Sequence, residues 1–284
     1  MPDETSPEII INGKRYIRLY HFMPAKYLYD MLAKDEVKIA IPEECNDPLE
    51  FLPAGKESEG DYSRPSLAFI SFSTKCSSSL MWAHYADAHR GVCIEFTFPL
   101  CGGLAHLSRW DKNDFENKEL DTHYCLLEIR DKYKQQYEKI DVDPVQYIAY
   151  MIEVDYKGNR PKRDNMGTAM GSIDDIVDTL SIPAEYYTKS SEWAYESEWR
   201  LMMCPASALS SHDGCFFAKG LTQYISNIIL GKRYPMYKNL AWSHIMQAFK
   251  SNEEIMTLVK ENKWSYPLLM RAAYDDNKYE IVLV

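Results

Sequence analysis

Trp193-Ala194-Tyr195-Glu196-Ser197-Glu198-Trp199-Arg200-Leu201-Met202 is the stretch on which the reading of the fold turns. Its latter half alternates. An extended chain from Glu196 to Met202 would carry Glu196, Glu198, Arg200 and Met202 on one face and Trp199 and Leu201 on the other. Two carboxylates and a guanidinium backed by large apolar groups suit a strand whose polar side lines a cleft. The plain alternative is a surface strand with a Glu–Arg pair, which contributes little to stability. Trp193, Tyr195 and Trp199 add bulk that would exclude water. A desolvated carboxylate beside a cation stays ionised and suits stabilisation of a developing positive charge.

Three upstream segments supply partners for that face. Ser66 to Thr74 reads as a strand in which Ser71 and Ser73 share one side, opposite Ile70 and Phe72. Ser77 to Asp87 reads as a helix with Ser77 or Ser78 as its N-cap, and it presents Trp82 and Tyr85 as a possible aromatic wall. Arg15 to Phe22 reads as an early strand that offers Arg18 and His21 on opposite faces. Each also has an ordinary reading as packing or solvated surface. His84, His89, Cys76 and Cys93 lack the spacing of a metal site, so no metal is expected.

Elsewhere, short strands and helices interleave without a regular βαβ beat. A helix follows Pro24, and a short strand covers Val37 to Ile41. A turn and possible helix start lie at Cys45 to Glu50, and a helix is expected over Glu128 to Ile140. Tyr147 to Tyr156 reads as a strand. Residues 172–190 read as a helix interrupted near Pro183, and Tyr237 to Asn262 as an amphipathic tail helix before two closing strands. The pattern predicts an α+β fold. Its main domain spans residues 1–232, and residues 233–284 form a helical extension with closing strands packed on the same domain.

Bulk properties narrow the class. The chain has 284 residues, 46% of them hydrophobic and 26% charged, enough to bury a substantial core and too apolar for wholesale disorder. Its net charge of −10 argues against a general nucleic-acid coat protein. The compact basic run of Lys157, Arg160, Lys162 and Arg163 is either a solvated turn or a local grip on phosphate. Seven unpaired-looking Cys, an acidic start and no long apolar run lead to the expectation of a reduced, cytoplasmic protein without a membrane span.

Six blocks in order resemble the prokaryotic domain of unknown function 2971 family. They are Leu19-Tyr20-His21-Phe22, Cys45-Asn46-Asp47-Pro48, Ile70-Ser71-Phe72-Ser73, Met81-Trp82-Ala83-His84-Tyr85, Gly91-Val92-Cys93-Ile94-Glu95-Phe96 and Tyr195-Glu196-Ser197-Glu198-Trp199-Arg200. More distantly, three features are similar to the ADP-ribosyltransferase superfamily and its toxin-like branch. These are an early strand with Arg18, Tyr20 and His21, a Ser71-Phe72-Ser73-Thr74 strand end, and Glu196-Ser197-Glu198 opening a later strand. That resemblance implies a split pair of packed antiparallel sheets with peripheral helices, and NAD as a substrate without any metal. It implies Glu198 at the nicotinamide ribose and Glu196 as the base for the acceptor. Arg18, Tyr20, His21, Ser71, Ser73, Trp82, Tyr85 and Arg200 would serve cofactor binding. The acceptor would be a macromolecule (RNA, DNA or protein), the setting a toxin or antiphage effector, and a neutralising antitoxin or regulatory protein a possible partner. The alternatives are an inactive nucleotide-sensing or protein-binding module of the same fold, and a metal-dependent phosphoester hydrolase built on Glu196, Glu198 and Asp47.

Overall fold

Runs of β-branched and aromatic residues favour strands, and strands dominate the molecule. The computed structural model describes residues 7–42, 45–55, 68–100, 105–109, 118–130, 146–161, 182, 184–203, 210–212, 215–234, 268–275, 277–278 and 281–283. In chain order the elements are β1 (Glu8–Ile11), β2 (Lys14–Met23), α1 (Leu28–Lys34), β3 (Glu36–Ile39), β4 (Ala68–Ser73), α2 (Ser79–His84), β5 (Val92–Pro99), β6 (Ala105–Arg109), β7 (Lys118–Arg130) and β8 (Gln146–Glu153). They continue with β9 (Asp155–Lys157), β10 (Thr188–Ser190), β11 (Glu198–Met203), β12 (Ser210–His212), β13 (Cys215–Lys219), β14 (Ile225–Leu230), β15 (Leu268–Tyr274) and β16 (Ile281–Leu283). The architecture is α+β, and among the described residues helices are few.

Eleven strands form one sheet in the order β16-β15-β14-β5-β2-β4-β11-β8-β7-β6, with β1 paired to β2. A three-stranded sheet (β12-β13-β3) and a parallel β9–β10 pair accompany it. The large sheet is not uniformly knit. β2 pairs with β5 over eight positions but meets β4 at a single one, Tyr20 opposite Ser73. At this seam the side chain of His21 takes over from the backbone ladder, its Nδ1 lying 2.9 Å from the Ser71 carbonyl.

Alternation places two cores on the two faces of the sheet. Ile17, Leu19, Ile70, Phe72, Phe96, Trp199 and Leu201 face α1 and β3 and build the larger core. On the opposite face Trp82, Met81 and Ala86 pack on Phe22, Cys93, Ile229 and Ala272, and a second cluster joins Phe51, Phe69, Tyr186 and Met202. β15 runs parallel to β14, so residues near the end of the chain extend the same sheet. No helix among the described residues is long and apolar enough to cross a membrane.

Several expectations need correction. Glu196 is not on a strand: it ends a 3-10 turn (Ser191–Glu196), Ser197 takes a left-handed conformation with φ 45°, and the extended chain begins only at Glu198. Glu128 to Arg130 finish strand β7 rather than open a helix, and the remainder of that expected helix lies outside the described residues. Near Pro183 the chain makes one 3-10 turn (Ala184–Tyr186) and then β10, because Thr188 to Ser190 pair with β9. Cys45 to Glu50 form turns instead of starting a helix. The tail helix over Tyr237 to Asn262, together with Lys162 and Arg163, falls outside the described residues.

Candidate functional site

β4 and β11 run antiparallel with Ser71 opposite Arg200 and Ser73 opposite Glu198. Residues two apart on a strand share a face, so this register collects two hydroxyls, a carboxylate and a guanidinium in one patch. Ser71 Oγ donates diagonally to Glu198 Oε1 at 2.6 Å. Arg200 donates from Nε and Nη2 to both Glu198 oxygens at 2.9 Å, a bidentate pair, and from Nη1 to the Tyr186 carbonyl at 2.8 Å. Ser73 does not join the carboxylate. Its Oγ donates to the Glu196 carbonyl at 2.6 Å and fixes the turn that precedes β11.

Four further chain segments complete the cluster. Glu50 accepts from Arg200 Nη2. Lys189 donates to Glu196 Oε2 at 2.6 Å and lies 3.4 Å from oxygens of both Glu198 and Glu50. Tyr85, at the end of α2, donates its phenol hydrogen to Glu196 Oε1. The Glu198 backbone N–H donates to the Tyr156 hydroxyl at 2.8 Å. All five charged side chains are buried, from 0% exposed for Arg200 to 7% for Lys189. Three carboxylates against two cations leave the cluster one negative charge when all are ionised.

Burial and charge act in opposite senses here, and charge decides Glu198. Burial alone would raise its carboxyl. The Arg200 and Lys189 charges and the hydrogen bonds from Arg200 and Ser71 outweigh that and hold it down at about 2. Glu196 goes the other way: burial and the neighbouring Glu198 charge raise it, although Lys189 pulls against them. Lys189 and Arg200 keep their charges because Glu198 and Glu50 overcome their desolvation. The Tyr85 phenol is raised by burial and by Glu196, so it remains a donor. Burial and Glu50 push the Cys45 thiol up to about 12, which leaves it unreactive at neutral pH.

A cavity of about 540 Å³ opens beside the cluster, walled by residues 46–52 and 157–161, by Glu185, by residues 188–190, and by Glu192 and Trp193. Glu50 and Lys189 belong to both cavity and cluster, whereas Ser71, Glu196 and Glu198 do not line the cavity. Trp193 forms one wall, held by its Nε1 donating to Asp47 at 3.0 Å, and the Lys189 ammonium sits 5.1 Å from the Trp193 ring.

The remaining residues singled out from the sequence are scattered. His21 lies on the far face of the sheet, against Phe72, and reaches only the backbone of Ser71. Burial lowers its pKa more than the carbonyl bond raises it, so it is neutral at pH 7. Arg18 pairs with Glu95 at 3.7 Å, away from Glu198. Tyr20 is half-buried and packs with the Trp82 cluster. Trp82 is completely buried and donates to the Cys76 carbonyl at 2.7 Å, which makes it core rather than an open wall. Among the described residues no group of three or more His, Cys, Asp or Glu is arranged to hold a metal ion. Glu50, Lys189 and Tyr156 escaped the sequence reading, since each stands alone in its own segment with no period or motif.

Fold and site together define a strand-rich α+β protein that carries a buried mixed-charge cluster beside the seam of a divided sheet. Residues 81–201 match the family model described as protein of unknown function DUF2971. The matched span runs from α2 to β11 and contains Tyr85, Lys189, Glu196, Glu198 and Arg200. No curated protein and no solved structure matches the chain.

Proposed function

We propose that this protein is an NAD-dependent ADP-ribosyltransferase that modifies a macromolecule. The observation that carries the reading is the Ser71–Glu198 hydrogen bond, 2.6 Å long, on paired strands beside a seam where the sheet is joined by one register pair. The seam is the nearest counterpart of the divided sheets that the ADP-ribosyltransferase resemblance implies. Breaking the bond from ribose C1′ to nicotinamide releases a neutral base and leaves an oxocarbenium-like ribose. A carboxylate held ionised, as Glu198 is at any pH above about 2, stabilises such a charge. The acceptor nucleophile then bonds to C1′ and gives up a proton. Glu196, whose pKa is raised, is the base suited to take it. Entry of substrate requires Lys189 to yield its longer 3.4 Å contact with Glu198 while keeping the 2.6 Å contact with Glu196.

A second reading draws on the same enclosure. Glu198 is 4% exposed and already has Ser71, Arg200 and Lys189 as partners, which favours a binding module in which the cluster is a scaffold for the cavity. The hydrolase reading is the weakest, because Lys189 and Arg200 contact Glu196 and Glu198 and compete with a divalent ion, while Asp47 accepts from Trp193 Nε1 instead of joining them.

Incubation with NAD and lysate, followed by measurement of free nicotinamide, tests the choice. The transferase reading expects release by the wild type and at least a ~100-fold drop in Glu198→Gln. Glu196→Gln should keep nicotinamide release but lose transfer to the acceptor. NAD bound without turnover would support the module instead, and Glu198→Gln running at the wild-type rate would sink the transferase.

A further inference from the structure

We propose a second functional surface, independent of the transferase reading: a basic, aromatic-bearing patch that binds single-stranded nucleic acid. It lies where the turn after α2 meets the ends of β14 and β15. Arg233 donates its backbone N–H to the His89 carbonyl at 2.9 Å, which sets Arg233 beside Arg90. Leu230 is paired with Arg271 across β14 and β15, and Arg271 Nη2 approaches the Lys232 carbonyl at 3.5 Å. The Lys232 ammonium stands 5.7 Å from the Tyr274 ring, and the His89 ring meets Tyr274 edge-on at 5.9 Å.

Arg90, Lys232, Arg233 and Arg271 are all exposed, and Tyr274 is 46% exposed. Among the described residues none of these four cations forms an ion pair. The nearby Asp275 spends its Oδ1 on the backbone N–H groups of Asn277 and Lys278. Four cations without an ion pair among the described residues, around a half-exposed aromatic ring, are unusual on a chain of net charge −10. Burial and the Arg233 charge lower the pKa of His89, so the imidazole adds no charge to the patch at neutral pH.

The patch is also held rigidly. Asp87, Ala88 and His89 adopt φ values of 47°, 51° and 67°, three consecutive left-handed residues without a glycine. Hydrogen bonds from Ala88 to Ala83, His89 to Trp82 and Gly91 to Ala86 enforce that path. Strain of this kind persists only where the surroundings over-determine it. The chemistry specifies a phosphodiester chain for the cations and an unpaired base for the exposed part of the Tyr274 ring. An acidic peptide would satisfy the charges but leave the ring unused, and a duplex keeps its bases stacked away from it.

The test is fluorescence anisotropy of a labelled short oligothymidylate with the full chain. For four phosphate contacts on a single strand, affinity should fall about 50-fold between about 50 and 200 mM salt. Arg233→Glu/Arg271→Glu should lose at least tenfold, while Lys14→Glu/Lys26→Glu, an equal charge change on another surface, should lose far less. Tyr274→Ala should weaken oligothymidylate severalfold and leave a duplex of the same length unaffected. Absence of binding at low salt, equal losses in the two double variants, an inert Tyr274→Ala, or displacement by poly-glutamate as effective as by unlabelled oligonucleotide would each overturn the proposal.

Discussion

Ser71 shows how much one side chain can report about the charged cluster. Its hydroxyl donates to an ionised, buried carboxylate, and such bonds contribute about 1.5–3 kcal/mol. The folded pKa of Glu198, about 2, lies below its ordinary value of 4.5, so ionisation stabilises the fold above pH 4.5 and that contribution drains away as pH falls toward 2. Glu196 has the opposite sign, since its folded pKa is raised and its ionisation costs stability as pH climbs through that value. Ser71→Ala should therefore lose about 1.5–3 kcal/mol at neutral pH, and the loss should shrink in acid once Glu198 is protonated. Urea midpoints at both pH values measure it, and an equal loss at both would mean that Ser71 does not serve the charge. At this scale the sequence was half legible. Ser71, Glu198 and Arg200 follow from two alternating strands, whose period marks a common face. Lys189 and Glu50 do not, because a single Lys between Thr188 and Ser190, or a Glu after the Asp47-Pro48 turn, looks like any solvated residue until the fold brings four segments together.

Among elements, those with local causes were readable and those set by contact were not. α2 starts where expected because the Ser78 side chain accepts from the Met81 N–H at 3.4 Å, a bond that the Ser-rich entry foretells. Strand β11 begins at Glu198 and leaves Glu196 off its face because Ser197 turns left-handed, and alternation in the sequence carries no sign of that. The turn after α2 is likewise invisible beforehand: nothing in Asp87-Ala88-His89 announces three positive φ values. What stabilises the turn is a close approach of two glycines. Gly231 donates to the Gly91 carbonyl at 2.9 Å, and a Cβ on Gly231 would lie 2.3 Å from the His89 carbonyl oxygen. Backbone cannot yield as a flexible side chain can, so Gly231→Ala should cost about 2–3 kcal/mol and lower the denaturation midpoint. Gly158→Ala, where a Cβ meets nothing within 4 Å, is the control and should change little. If both variants melt alike, the turn is not clamped in this way.

Over the whole molecule the decisive feature is the seam between β2 and β4. Composition and alternation were enough for a strand-rich α+β fold with two apolar faces, but strand order depends on long-range pairing that no local pattern encodes. The order β5-β2-β4-β11 brings Tyr20 opposite Ser73 and then lets the strands part. His21 fills the opening with a bond from its ring to the Ser71 carbonyl, the structural role its local sequence favours and unlike the ligand contact that the ADP-ribosyltransferase resemblance implies. The hydrogen-bonded ladder is therefore two well-paired blocks, β16 to β2 and β4 to β6, joined between β2 and β4 by one register pair and one imidazole bond, while side chains such as Phe72 and Phe96 pack across the seam. Removing the imidazole should loosen the coupling without unfolding either block. In His21→Ala the lost bond is worth about 1 kcal/mol, so amides of β4 near Ser71 should exchange with deuterium about fivefold faster. Amides of β5 and β14, which pair with each other over their length, should keep their protection. Uniform acceleration across all four strands would mean that the sheet opens as one unit and that the seam is not a mechanical division. Acceleration confined to β4, together with altered nicotinamide release, would tie movement at the seam to access to Glu198.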